Sequence, residues 1–182
     1  MFEGFVSFVR DLYNTKEFIP LHEPCFIGNE KRSVNECIDS SFVSSVGHFV
    51  DLFEKEVSTF AAINYAIAVV NGTSALHTAL KLLGVQEGDG IITQSLTLVA
   101  TCNAIAYCGA KPIFVDIDRE TLGLSPNSLE SFLKEHCELR EDGCCWHKKT
   151  NTIIRACLPV HSFGFPTKID KIKMITKHYN IA

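Results

Sequence analysis

Short apolar runs alternate with segments of helical periodicity along most of the chain. Four runs are continuously apolar, the pattern of strands covered on both faces, at residues 65–70, 91–95, 111–117 and 152–160. The segments that follow them repeat apolar residues at helical spacing, at residues 74–83, 98–109, 125–136 and 166–180. This alternation predicts an α/β fold with a mainly parallel sheet and helices on both of its faces.

Two local signals refine the predicted elements. Ser125 followed by Pro126 is typical of a helix start, with serine as the N-cap and proline at the first helical position. Residues 137–151, "CELREDGCCWHKKTN", are polar and rich in turn-forming residues. They predict a small hairpin that leaves the α/β alternation before the fourth strand.

Apolar residues also recur at helical spacing near the start of the chain, at Phe2, Phe5, Val6, Val9 and Tyr13. They predict an amphipathic helix within residues 1–18. The stretch lacks the continuous apolar middle of a secretory signal, because charged residues interrupt it. No apolar run of the sequence approaches the roughly 20 residues that cross a bilayer. We therefore expect a cytoplasmic protein with no membrane partner.

Composition and charge narrow the classes of function. Of the 182 residues, 46% are hydrophobic, which suits a globular protein with a substantial core. The net charge of −4 lacks the basic excess that nucleic-acid binding needs. Small-molecule chemistry or protein contacts are therefore favoured, and no nucleic-acid partner is expected.

The eight cysteines predict reduced thiols and no metal site. None forms a CxxC pair, and several lie inside apolar runs, where thiols pack as small hydrophobic groups. One cluster contains candidate ligands: Cys137, Cys144, Cys145 and His147. Adjacent cysteines do not easily reach one tetrahedral ion together, and the spacing is not that of a zinc finger.

The junction between the first predicted strand and helix, "VVNGTSALHTALKLL", allows two interpretations. Asn71 and Gly72 form a turn, and the hydroxyls of Thr73 and Ser74 suit a helix cap that binds nothing. The same helix start also suits a phosphate, since its backbone N–H groups are unpaired and Gly72 permits close approach. Neither GxGxxG nor GxxxxGK[ST] is present, which disfavours a dinucleotide or ATP.

Five segments, in this order, resemble the DegT/StrS-type sugar aminotransferases, which are fold-type-I enzymes using pyridoxal 5′-phosphate (PLP). They are "IPLHEPCFIGNEK", "SSFVSSVGHFVDLFEKEVSTF", "AVVNGTSALHTALKLLGVQEGD", "IITQSLTLVATCNAIAYCGAKPIFVDID" and "LPVHSFGFPTKIDKI". The resemblance extends from about residue 19 to residue 182. The openings "LHEPCFIGNEK" and "SSFVSSVG" are similar to the branch acting on UDP-linked 4-keto-6-deoxy amino sugars, in legionaminic-acid and bacillosamine-type surface-glycan pathways.

The resemblance implies roles for particular residues. Gly72, Thr73 and Ser74 match the turn that binds the PLP phosphate. Leu98 stands where the family has an aromatic residue stacked on the pyridine ring, so the stacking contribution of about 0.5–1.5 kcal/mol is lost.

Four other residues match positions near the family's active site. Thr101 and His161 match positions on the cofactor side, with a structural histidine as the alternative for His161. Ser45 and Gly47 match a loop near the sugar substrate.

The implied activity is transfer of an amino group, with glutamate as donor, to C4 of the UDP-linked keto sugar, by a homodimer. In the family, the aspartate that pairs with the pyridine nitrogen and the Schiff-base lysine both come after the last matched segment. No lysine of this sequence matches that motif, and we assign the role to none of Lys81, Lys111 and Lys168. Residues 19–182 are thus expected to be the N-terminal part of the PLP-binding large domain, ending before the lysine, with no catalytic residue of that kind and no activity alone.

Three alternatives remain at the level of sequence. A PLP-dependent sugar dehydratase shares these motifs and has histidine in place of the lysine. The second alternative is a non-catalytic remnant. The third is a module that binds a phosphorylated ligand through Gly72, Thr73 and Ser74.

Overall fold

The computed structural model describes residues 2–20 and 23–182 of the chain. The "LHEPCFIGNEK" motif begins with Leu21 and His22, which lie outside the described residues. The chain divides into two compact units, Met1–Ala68 and Val69–Ala182.

The first unit contains three helices: α1 (Glu3–Tyr13), α2 (Glu30–Asp39) and α3 (His48–Phe60). The helix α1 lies where the spacing of apolar residues predicts an amphipathic helix, and it ends at Asn14 in the left-handed conformation. No residue of these three helices is fully buried. Within the part of the chain that the structure describes, no helix is long and apolar enough to cross a membrane.

The second unit has the predicted α/β alternation. Its elements in chain order are α4 (Gly72–Leu82), β1 (Gly90–Gln94), α5 (Val99–Tyr107), β2 (Lys111–Val115), α6 (Pro126–His136), β3 (Cys137–Leu139), β4 (Cys145–His147), β5 (Thr152–Cys157), a 3₁₀ turn (Ser162–Gly164) and α7 (Ile169–His178). The helix α6 begins as predicted, because the side chain of Ser125 accepts a hydrogen bond from the Ser128 N–H and Pro126 occupies the first helical position.

The sheet has the strand order β2-β1-β5-β4-β3. The strand β1 lies between β2 and β5 and is parallel to both, whereas β3 and β4 form the predicted hairpin and β4 joins β5 antiparallel. Pro112 lies on the edge strand β2, where the sheet tolerates a proline that has no N–H to donate. The fold is therefore α/β with a mixed sheet whose central strands are parallel.

Apolar clusters cover both faces of this sheet. Leu80 of α4 packs with Ile105 of α5 and Ile91 of β1 in one cluster. Leu129 of α6 and Ile172 of α7 pack with Ile92 of β1 in the other. Because consecutive residues of β1 point to opposite faces, Ile91 and Ile92 assign the helix pairs to opposite sides of the sheet.

The strand predicted at residues 65–70 does not form, and this prediction is wrong. The run is irregular and largely exposed, with Tyr65, Ile67 and Val70 each more than four-fifths accessible. A strand is stabilised by a neighbour that takes its backbone hydrogen bonds, and none of the described strands pairs with this run. Ala68 instead donates its N–H to the carboxylate of Glu54.

The cysteines of the hairpin are free thiols. Cys137 and Cys145 are buried and Cys144 is half-buried. The hydrogen bond with Cys137, together with burial, raises the pKa of Cys145. Among the described residues, no group of three or more His, Cys, Asp or Glu is arranged to hold a metal ion.

Candidate functional site

The start of α4 has the geometry of an anion site. Asn71 caps the helix, because its side chain accepts a hydrogen bond from the Ser74 N–H at 2.8 Å. The N–H groups of Gly72 and Thr73 find no acceptor in the described part of the chain. No acidic residue lies in the first turn, so no carboxylate of α4 occupies this positive end. A helix cap and an anion site are therefore compatible here. Asn71 accepts the N–H of Ser74, the third residue of the helix, and leaves the N–H groups of Gly72 and Thr73 free.

Gly72 is an open position at this helix start. A Cβ on Gly72 would meet nothing within 4 Å, so the backbone is bare on that side. Thr73 and Ser74 are half-buried at its flank. This combination lets an anion contact the backbone without displacing a side chain.

A cavity of about 300 Å³ lies at the carboxyl ends of β1 and β5. Its lining residues are Leu96, Thr97, Leu98, Val160, His161, Ser162 and Phe163. Ligands of open α/β sheets bind outside the carboxyl ends of the strands, so this cavity is where the fold places a site. It brings together two of the residues singled out in the sequence, Leu98 and His161, and it does not include Gly72, Thr73 or Ser74.

Gln94, the last residue of β1, holds the walls of the cavity together. Its side chain is fully buried, and the two hydrogens of Nε2 are shared among four acceptors within reach: the carbonyls of Leu96 (3.2 Å), Leu122 (3.3 Å) and Val160 (3.1 Å) and Ser162 Oγ (2.9 Å). Gln94 Oε1 accepts the Val160 N–H at 3.0 Å. The hydroxyl of Ser162 in turn donates to the Leu96 carbonyl at 2.9 Å. The two segments that line the cavity, residues 96–98 and 160–163, are therefore both hydrogen-bonded to the buried amide of Gln94.

His161 lies between the cavity and a buried threonine. Its Nδ1 accepts the Thr167 N–H at 3.0 Å and lies 3.2 Å from Thr167 Oγ1. The side chain of Thr167 is only 5% exposed, whereas His161 is exposed. One ring nitrogen is thus engaged by the protein, which leaves Nε2 as the polar group available to the cavity.

The most exposed apolar residues of the lining are Leu98 and Phe163, which are 73% and 78% exposed. Phe163 has a left-handed backbone conformation (φ 56°, ψ 20°), which is costly for a bulky residue. The buried Ser162 anchors the preceding residue, and Gly164 follows with φ 82°. This strained turn keeps an aromatic ring at the cavity that Leu98 also lines.

Thr101 is buried and does not belong to the cavity lining. Its hydroxyl lies 2.9 Å from that of Thr97, which does line the cavity, and its N–H donates to the Leu98 carbonyl. Thr101 therefore acts through its neighbours, by fixing Thr97 and Leu98 at the start of α5.

The two residues expected near a sugar, Ser45 and Gly47, lie in the first unit. Gly47 precedes α3 with φ 153°, a conformation that favours glycine, and a Cβ there would lie 3.2 Å from Phe42 Cβ. It lines a cavity of about 800 Å³ bounded by the ends of α2 and α3, and Ser45 is exposed in the loop before it.

An ion-pair cluster adjoins Thr167. Lys168 Nζ lies 2.7 Å from both Asp118 Oδ2 and Glu120 Oε2. The hydrogen bond from Lys168 holds the pKa of Asp118 below its usual value, and the hydrogen bonds to Asp118 and Glu120 raise the pKa of Lys168. Lys168 is thus committed to these carboxylates and does not reach the cavity lining.

Sequence reasoning missed three residues of this region: Gln94, Phe163 and Thr167. Gln94 has a sequence signal, because a polar amide ends the apolar run "IITQ" where a buried strand meets the binding edge. Thr167 has no sequence signal, because only the folded turn between the two residues brings it to His161. Phe163 carries no signal either, because its exposure depends on the left-handed turn.

Comparison with known proteins assigns the chain to a family. Residues 24–182 match the model of the DegT/DnrJ/EryC1/StrS aminotransferase family, and the chain belongs to that family. It is 38% identical over 165 residues to a GDP-perosamine synthase of Escherichia coli O157:H7, covering 91% of this chain and 41% of that protein. It is 35% identical to a GDP-perosamine synthase of Caulobacter vibrioides, covering 90% and 39%. The chain thus spans about two fifths of the length of these relatives.

Solved structures of the same class share the fold. An aminotransferase from Psychrobacter cryohalolentis matches with a TM-score of 0.72 and 28% identity, over 91% of this chain and 37% of that one. NtdA from Bacillus subtilis, determined with bound cofactor PMP, matches with a TM-score of 0.68 and 26% identity, over 94% and 38%. The α/β fold expected from the alternation of apolar runs is confirmed.

Proposed function

We propose that this chain is part of a PLP-dependent aminotransferase that transfers an amino group from glutamate to the keto group of a nucleotide-linked sugar. The observation that carries the proposal is that a member of this family has both a bare helix start at Gly72 and a cavity at the carboxyl ends of β1 and β5. Residues 19–182 then form the N-terminal part of the cofactor-binding domain, preceded by the amphipathic segment 1–18.

The residues present fit the chemistry of PLP. The group has a dianionic phosphate and a flat aromatic ring with polar substituents. The free N–H groups of Gly72 and Thr73, with the hydroxyls of Thr73 and Ser74, suit the phosphate. A cavity of about 300 Å³ with an apolar lining and one free imidazole nitrogen suits the ring.

Each residue has a defined task in this proposal. When bound, PLP supplies the electron sink that transfer of an amino group requires. The start of α4 binds the phosphate, Leu98 covers a face of the ring, and His161 contacts a polar substituent. Thr101 orients Thr97 and Leu98 through the hydrogen bonds at the start of α5.

For the sugar nucleotide, the opening motifs favour a UDP-linked 4-keto-6-deoxy amino sugar, with Ser45 and Gly47 as its contacts. Relatives named GDP-perosamine synthases support a second candidate, a GDP-linked sugar. Saturation-transfer NMR with UDP and GDP at equal concentration separates the two. Stronger transfer to UDP supports the first candidate, and stronger transfer to GDP replaces it with the second.

We further propose that the complete protein is a cytoplasmic homodimer with no nucleic-acid or membrane partner. The dimer follows from the sharing of fold-type-I sites between subunits that the resemblance implies. Sedimentation of the complete protein tests it, and a monomeric active enzyme would contradict it.

Pyridoxamine phosphate (PMP) tests cofactor binding, because it needs no covalent bond to the protein. We expect the 182-residue chain to bind PMP at least tenfold more tightly than pyridoxamine, which lacks the phosphate. Thr73→Ala should weaken PMP binding by about fivefold, the loss of one hydrogen bond. Thr78→Ala is the matched control, since Thr78 is an exposed residue of the same helix beyond its first turn. Equal affinity for PMP and pyridoxamine would contradict the proposal.

A further inference from the structure

We infer that His161 is a ligand-contact residue that donates its Nε2–H to an oxygen acceptor on the bound ligand, and that Thr167 is the positioning residue that fixes this state of the ring. The inference rests on the proposed function and deepens it. It assigns the cavity a single directed donor and names the residue that sets the donor's orientation.

The tautomer of His161 follows from its partner. A backbone N–H can only donate, so the Thr167 N–H, 3.0 Å from Nδ1, requires Nδ1 to carry a lone pair. A neutral imidazole has one proton, which must therefore lie on Nε2. Since Nδ1 is engaged by Thr167 and His161 lines the cavity, Nε2–H is the group that the ring offers to a ligand.

Thr167 is held firmly enough to act as a positioning residue. It is buried, and a Cβ on Gly123 would overlap its Cγ2 methyl group, so the glycine makes room for the threonine. The next residue, Lys168, is fixed by Asp118 and Glu120 at 2.7 Å each. The Thr167 carbonyl accepts the Ile169 N–H at 2.7 Å, at the start of α7. Contacts on several sides therefore fix the N–H and hydroxyl that face His161.

The cavity selects for the chemistry of the acceptor. None of the lining residues carries a carboxylate, an ammonium or a guanidinium group, and Leu98 and Phe163 are apolar. A neutral N–H donor in such surroundings favours a hydroxyl or carbonyl-type oxygen on a flat ring over a second donor or an ammonium group. The phosphate is bound elsewhere in the proposal, at the start of α4.

Nitrogen NMR of histidine-labelled protein tests the tautomer without any ligand. We expect His161 Nδ1 to show the chemical shift of an unprotonated nitrogen and Nε2 that of a protonated one. The opposite assignment in the folded wild-type chain would overturn the inference.

Two substitutions of His161 separate ligand contact from a structural role. The amide nitrogen of glutamine can occupy the position of imidazole Nε2, whereas asparagine reaches only the position of Nδ1. We expect His161→Gln to keep PMP affinity within about threefold and His161→Asn to lose about tenfold, the worth of one well-placed hydrogen bond. If His161→Asn binds as the wild type does while His161→Gln does not, the histidine is structural and the inference fails.

Variants of Thr167 test the positioning role. Thr167→Val removes the hydroxyl and should weaken PMP binding by about threefold, and Thr167→Ser should restore it. Thr176→Val is the matched control, because Thr176 is equally buried but bonds only to the carbonyl of Lys173 within α7. An equal effect of Thr167→Val and Thr176→Val would overturn the role of Thr167. Absence of PMP binding by the wild type would defeat the proposed function and the ligand contact together, and the NMR assignment would then decide the role of Thr167 alone.

Discussion

Gln94 and Val160 hold each other through two hydrogen bonds. Gln94 Nε2 donates to the Val160 carbonyl at 3.1 Å, and Gln94 Oε1 accepts the Val160 N–H at 3.0 Å. Val160 lies beyond the end of β5 at Cys157, so no neighbouring strand pairs with its backbone there. The side-chain amide of Gln94 makes those two hydrogen bonds instead. The two central strands can thus separate to form a cavity while their buried polar groups remain paired.

Replacing this amide should unfold the cavity edge. Gln94→Leu keeps the volume of the side chain but leaves the N–H of Val160 and the carbonyl of Leu122 without their partners. We expect the free energy of unfolding to fall by about 3 kcal/mol, as measured by urea denaturation. Gln86→Leu is the control at an exposed glutamine. The prediction is contradicted if Gln94→Leu lowers the free energy of unfolding no more than Gln86→Leu does. Water would then take the place of the amide at no cost.

The ion pair between Arg155 and Asp89 should contribute more to stability than an exposed pair. Arg155 Nε lies 3.0 Å from Asp89 Oδ2, the carboxylate is 8% exposed, and the same oxygen accepts the Gln86 N–H. Arg155→Met leaves this buried carboxylate without its cation, so we expect a loss of about 2 kcal/mol.

The matched control is Arg32→Met, which breaks the exposed pair of Arg32 with Glu36. That pair should contribute less than about 0.5 kcal/mol. Similar losses for the two variants in urea denaturation would contradict this account of the buried pair.

The Asp118–Lys168 pair should make part of the stability depend on pH. The pKa of Asp118 is lowered in the folded state by the hydrogen bond from Lys168, relative to its ordinary value of 3.8. The stabilisation is therefore fully present above pH 3.8 and is lost as the pH falls through the lowered folded-state value. Lys168→Met should unfold at lower urea concentration than the wild type at pH 7, and the difference should shrink below pH 3.8.

A difference between these two proteins that stays constant from pH 7 to pH 2 would exclude the Asp118 carboxylate as the source of the stabilisation.

Partial burial should slow the alkylation of Cys157, which is a half-buried thiol. Loss of contact with water raises the pKa of this thiol to about 12, so the reactive thiolate is scarce at pH 8. Cys25 is exposed and should react first. Iodoacetamide labelling followed by mass spectrometry should show Cys25 modified while Cys157 stays free until urea is added. Equal labelling rates in native protein would contradict the burial of β5.

Local signals predicted much of the second unit. The cap formed by Ser125 with Pro126, the turn-rich hairpin segment and the strand predicted at residues 91–95 each depend on residues close in sequence, and each element forms, the strand at Gly90–Gln94. The strand prediction at residues 65–70 was wrong because apolar side chains indicate only that a segment can be buried. A strand also needs a neighbouring strand that pairs with its backbone.

The site was predicted only in its local parts. The helix start at Gly72 could be predicted because capping and anion binding depend on consecutive residues. The relation of His161 to Thr167, and of Gln94 to Val160, depends on how the chain returns after β5, and no short pattern encodes it. The role of Leu98 came from resemblance, and the nearby Phe163 is visible only in the folded turn.

The central claim is that the start of α4 binds the cofactor phosphate, and amide NMR during titration with PMP tests it most directly. We expect the Gly72 and Thr73 amide signals to move with saturation, and Gly72→Ala, which meets no atom within 4 Å, to fold normally and bind PMP at least tenfold more weakly. Amides of Gly72 and Thr73 that stay unmoved while PMP binds, or a Gly72→Ala variant that binds as the wild type does, would contradict the account.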